Sequence, residues 1–180
     1  LQWLPSHLVS EADYGCAMSV LEEIIATQAK AGFGTAAVIV EAIQGRAGIR
    51  LPPSGWLKAL SRLCRAAGVL LIFDEVFTGL GRIGSLSSAF EVDCDLICLG
   101  KALGGGLPLS ACFGRADVMN AWPQNHGEAL HTGTFFGHPL SCRLGLATLE
   151  SLVEGEWIKR YEEGAAALDS LVDVDRCRRQ

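Results

Sequence analysis

A chain of 180 residues with 49% hydrophobic and 19% charged content can bury a sizeable core in one or two domains, which excludes an intrinsically disordered segment. The net charge of −5 excludes the electrostatic footprint of a nucleic-acid binder, and the one arginine cluster, Arg176, Arg178 and Arg179, sits at the extreme C-terminus and is assigned no function. No apolar run approaches the ~20 residues needed to cross a bilayer, and the opening LQWLPSHLVS lacks a basic stretch followed by an apolar one, so the chain is read as cytoplasmic with no membrane partner.

In chain order, residues 1 to 10 carry no clear pattern. Ala17, Val20, Leu21, Ile24, Ile25 and Ala29 then follow the i, i+3, i+4 spacing of an amphipathic helix over residues 13 to 30, which Gly32 and Gly34 can end. Residues 36 to 43 are rich in β-branched side chains and are expected to form a buried strand, with Glu41 near its exit. Gly45, Gly48, Pro52 and Pro53 make the next stretch a loop. Ser54 is the expected cap of a helix to about residue 67, with Trp56, Leu57, Leu60, Leu63 and Cys64 on one face and Gly68 at its end.

The run Val69-Leu70-Leu71-Ile72-Phe73 delivers Asp74 and Glu75, and Leu96-Ile97-Cys98-Leu99 delivers Gly100 and Lys101. Continuous apolar runs of this kind suit strands covered on both faces, and open parallel sheets bind ligands beyond the carboxyl ends of their strands. An acid and a lysine at two such exits point to chemistry. Between them, residues 78 to 88 form a Gly-Arg-Gly-Ser loop. Beyond Lys101 come the glycines Gly104 to Gly106, a short strand over 109 to 113, a short helix over 115 to 121, a polar loop over 122 to 131, a helix over 139 to 152 opened by Pro139, and a last helix over 157 to 171 outside the sheet. Alternation of helix and strand predicts an α/β fold with a mostly parallel sheet.

Cys16, Cys64, Cys94, Cys98, Cys112, Cys142 and Cys177 are scattered through apolar contexts and read as reduced thiols. Cys94 and Cys98 have no second ligand pair at metal spacing, and His126, His131 and His138 flank a loop without ligand spacing, so no metal is expected. The strand ending in Asp74-Glu75 also suits a P-loop ATPase, which would need an upstream GxxxxGK[ST]. The only Gly-Lys pair, Gly100-Lys101, lies downstream.

The wording LIFDEVFTGLGRIG followed by DLICLGKALGGG resembles the class III aminotransferases, the pyridoxal-phosphate enzymes typified by ornithine, acetylornithine and 4-aminobutyrate aminotransferases. The likeness extends through AAVIVEAIQGRAGIRLPPSGWLKAL and GTFFGHPLSC, from about residue 36 to 150. It implies part of the fold type I large domain over residues 1 to 150 and the start of a C-terminal domain over 151 to 180. It also implies pyridoxal 5'-phosphate as cofactor, and transfer of an amino group from an amine or ω-amino acid to a 2-oxo acid acceptor. By the same resemblance Lys101 is the Schiff-base lysine, Asp74 the partner of the cofactor's ring nitrogen, Val76 the apolar residue against one ring face, and Glu41 a strand-end carboxylate near the cofactor. Thr134 is the hydroxyl that reaches the phosphate of the neighbouring subunit, which implies a homodimer with shared active sites.

Three positions depart from the family's pattern: Phe77 where glutamine is common, Ala42 where proline is usual, and Arg46 where many members have glutamate. Substrate choice therefore cannot be transferred from ornithine or 4-aminobutyrate enzymes. The chain begins at Leu1 and is much shorter than family members, so it reads as a fragment, with inactivity of the isolated piece as the corollary. Alternatives are an aminomutase of the same family, of the glutamate-1-semialdehyde type, or a non-catalytic truncated remnant.

Overall fold

The computed structural model describes residues 11–46, 48–121, 127 and 131–171. The unpatterned start, most of the polar loop expected over 122 to 131, and the C-terminal arginine cluster lie outside the described residues.

Helix α1 (Glu11–Lys30) leads to strand β1 (Ala37–Val40), helix α2 (Trp56–Ala67), strand β2 (Leu70–Asp74), strand β3 (Leu96–Leu99), strand β4 (Ala111–Gly114), the single turn α3 (Ala116–Met119), and helices α4 (Pro139–Glu154) and α5 (Trp157–Leu171). The four strands lie in sequence order in one sheet. Parallel pairing joins β1 to β2 and β2 to β3, whereas β4 runs antiparallel to β3. Helix α2 connects two parallel neighbours, as a crossover must when no tight turn can link them.

Side chains alternate across a strand, so Val38, Val40, Leu71 and Phe73 share one face. That face packs with Leu21 of α1 and Leu60 and Cys64 of α2 into the main core, in which Leu71, Phe73, Leu60 and Cys64 are fully enclosed. Trp56 ties the two helices together. Its ring meets Tyr14 edge-on at 5.3 Å, and its Nε1 donates to the Tyr14 carbonyl at 2.9 Å.

The structure corrects several expectations. β1 is shorter than the expected strand and is not buried on both sides: it lies at the sheet edge, and Ile39, on the face opposite the core, is 60% exposed. Ser54 does not cap α2; Gly55 takes that position in a left-handed conformation at φ 80, which a glycine adopts without steric cost. Helix α4 is also oriented differently from its apolar pattern. Leu140 and Leu146 are exposed, while Ser141 and Gly145 are buried. The helix docks through its small residues: a Cβ at Gly145 would sit 2.5 Å from Leu109 Cδ2 and 3.2 Å from the Leu103 carbonyl oxygen. Helix α5 packs its Trp157 against Gly81 and its Tyr161 against Gly84, covering the loop that follows β2.

Candidate active site

Asp74 is the last residue of β2, and its register partner on β3 is Cys98. Because β2 and β3 are parallel, Asp74 and Lys101 leave the sheet at the same end. The half-buried Asp74 carboxylate accepts a hydrogen bond at Oδ1 from the Val76 N–H at 3.1 Å, and among the described residues no cation pairs with it. Its neighbour has a different role. Glu75 is buried, its N–H donates to the Cys98 carbonyl at 2.9 Å, and its Oε1 accepts from the Ser88 N–H at 2.6 Å. Glu75 thus fastens the loop after β2 to the 3₁₀ turn Ser88–Phe90. Asp74 is left as the carboxylate at the strand exit.

Lys101 sits at φ 44, a left-handed conformation that a lysine adopts at a cost of about 1–3 kcal/mol. The turn around it holds that geometry, with Leu103 N–H donating to the Gly100 carbonyl at 3.0 Å. Gly100 is needed for closeness: a Cβ there would lie 3.3 Å from Val76 Cγ1, so the two strand exits touch through these residues. Lys101 is exposed rather than buried, and its Nζ lies 5.2 Å from the centroid of the Phe77 ring, within cation–π range. The Phe77 ring in turn rests against Gly45, where an added Cβ would meet it at 2.7 Å.

An open cleft of about 1220 Å³ lies beside these exits, with Val76, Cys98, Lys101, Cys112, Thr134 and Phe135 among its walls. It brings Lys101, Val76 and Thr134 together; Asp74 is not among its walls, but by register it lies beside Cys98, which is. Glu41 does not line it. The Glu41 Oε2 accepts from the Gly45 N–H at 3.0 Å, which braces the loop closed by the Gln44–Arg50 bridge. Arg46 is exposed on that loop.

In the sequence, Cys98 is set beside Cys94 by spacing and is not paired with Cys112. Cys98 and Cys112 stand opposite one another on β3 and β4. Burial pushes the Cys98 thiol up, with the neighbouring Cys112 and Asp74 adding to the effect. The signal available in the sequence was the two-residue alternation of Cys112 and Gly114, which needs the antiparallel register before it becomes informative.

The mostly parallel sheet flanked by helices is the fold of the transaminase structures that this chain resembles. The family model described as Aminotransferase class-III matches residues 4–176, and the chain belongs to that family. It is 45% identical over 123 residues to an acetylornithine aminotransferase of Methanopyrus kandleri, an alignment covering 67% of this chain and 30% of that protein. Among solved structures it resembles the ornithine aminotransferase of Toxoplasma gondii, at 40% identity and a TM-score of 0.73, over 85% of this chain and 35% of that one. It also resembles an (S)-enantioselective omega-transaminase from Thermomicrobium roseum, at 29% identity and a TM-score of 0.78, over 94% of this chain and 38% of that one. The chain therefore spans roughly a third of the length of these relatives.

Proposed function

We propose that the protein to which this chain belongs catalyses pyridoxal-phosphate-dependent transamination, moving an amino group from an amine or ω-amino acid to a 2-oxo acid. The observation that carries this reading is the exit of Asp74 and Lys101 from adjacent parallel strands beside one cleft, together with family membership. The residues fit the cofactor: a carboxylate without a cationic partner among the described residues, a lysine held in a strained turn at the cleft wall, an apolar Val76 beside it, and a hydroxyl at Thr134.

When bound, pyridoxal phosphate supplies an aldehyde carbon and a ring that accepts electrons. Asp74 would hold the proton on the ring nitrogen, since an opposite charge within a few ångströms favours the charged form. The Lys101 amine would attach the cofactor and then carry a proton to and from the substrate carbon. Val76 would pack against the ring. Thr134 would donate its hydroxyl to the phosphate of a neighbouring subunit in a homodimer, a reading supported by the exposure of the adjoining Phe135 and Phe136. Glu41 would act from the cofactor's periphery by bracing the loop at Gly45.

In this reading residues 1 to 150 are part of the large domain and 151 to 180 begin the C-terminal one. The enzyme would work in the cytoplasm, whose reducing conditions suit the six described free cysteines. The test is borohydride reduction of the cofactor-loaded protein followed by peptide mapping. Label on Lys101 is expected; label confined to another lysine would overturn the assignment.

A further inference from the structure

We propose that Cys98 and Cys112 form a reversible disulfide across the β3–β4 ladder at the wall of the cleft, closed by a small-molecule disulfide as oxidant. The ladder itself indicates the pairing. Glu75 N–H donates to the Cys98 carbonyl at 2.9 Å, so the Cys98 backbone turns its polar groups toward β2 and away from β4. Hydrogen-bonded and non-hydrogen-bonded pairs alternate along such a ladder. With its backbone bonded to β2, Cys98 makes a non-hydrogen-bonded pair with Cys112 on β4.

That class of pair brings side chains closest, with Cα atoms about 4.5 Å apart. The distance falls within the range of about 4.4–6.8 Å that a disulfide spans. The two residues are register partners on adjacent strands, and both line the cleft, so an oxidant has access. Cys112 is exposed and Cys98 half-buried, which orders the steps.

The Cys112 thiolate attacks one sulfur of the small disulfide, forming a mixed disulfide and releasing one small thiolate. Cys98 then attacks the Cys112 sulfur, forming the protein disulfide and releasing the second. Two protein thiols lose two electrons, the small disulfide gains them, and the protons from the two cysteines end on the released thiolates. Closure replaces the Cys98 S–H, next to Asp74 in register, and the Cys112 S–H with a bridge that bears no donor, on the strand that leads to Gly100 and Lys101. The bridge forms or fails to form whatever the cleft binds, so its test is separate from that of transamination.

The experiment is incubation of the protein, without added cofactor, with hydroxyethyl disulfide, followed by non-reducing peptide mapping. The expected product joins the Cys98 and Cys112 peptides with loss of two hydrogens, and is reversed by dithiothreitol. In a Cys98→Ser variant, Cys112 should instead retain the hydroxyethyl thiol as a stable mixed disulfide. A stable mixed disulfide on Cys112 in the unmutated protein, or cross-linking of other cysteines while Cys98 and Cys112 remain reduced, would overturn the proposal.

Discussion

Asp74 accepts the Val76 N–H, and in the proposed function its carboxylate would also face a cationic ring nitrogen. Replacing it with asparagine keeps an acceptor for Val76 but removes the charge. Asp74→Asn should therefore leave thermal stability nearly unchanged while lowering kcat/KM by roughly 10²–10³, the scale of a lost electrostatic partner in an active site. Steady-state kinetics beside a melting curve checks this; a variant with full activity would remove Asp74 from the chemistry. Glu75 presents the opposite balance, because its carboxylate is buried and holds the Ser88 N–H. Two adjacent acids in one sequence block thus separate into a half-buried carboxylate at the strand exit and a buried structural anchor only when their surroundings are known.

Helix α4 carries the support of the Lys101 turn, since it packs on Leu103 and Leu109 through Gly145. A leucine at Gly145 has no room and would push the helix away from that turn, costing about 1–3 kcal/mol by overpacking. Gly164, within α5, meets nothing within 4 Å of a built Cβ, so Gly164→Ala should stabilise the protein by about 0.5–1 kcal/mol through helix propensity alone. Denaturant melts of the two variants should move in opposite directions. Helix α4 also shows what was legible in the sequence. Its existence and its start, with Pro139 in the first turn, follow from local pattern. Its docking face does not, because small residues such as Ser141 and Gly145 gain their meaning only from the backbone they approach. The strand exits at Asp74 and Lys101 were legible for the converse reason: an apolar run ending in a charge is a local feature. The bracing role of Glu41 and the opposition of Cys98 to Cys112 depend on the folded backbone around them, which no local pattern specifies.

Across the described molecule, α1 and α2 cover one sheet face only along β1 and β2, whereas Phe113 on that same face and Ile39 on the other remain exposed. Stability therefore depends heavily on the single main core, and that core contains ionisable groups. Cys64 is enclosed within it and Cys94 packs against it; burial pushes both thiols up to about 11, with Asp95 adding to the effect at Cys64 and Glu75, Asp95 and Asp93 at Cys94. The sign follows from proton uptake. Between the ordinary thiol value of 9.0 and about 11, the unfolded chain has lost protons that the folded chain retains, so the folded state is favoured below that window and loses this advantage as pH rises through it. Unfolding free energy should accordingly fall from pH 9 to pH 11. Lysines and tyrosines also titrate there, so the comparison that isolates the thiols is a Cys64→Ala/Cys94→Ala double variant. Its stability is lower at neutral pH by the packing lost, but its decline with pH should be shallower. Parallel slopes for the variant and the unmutated protein in denaturant melts would show that the two core thiols do not couple folding to pH.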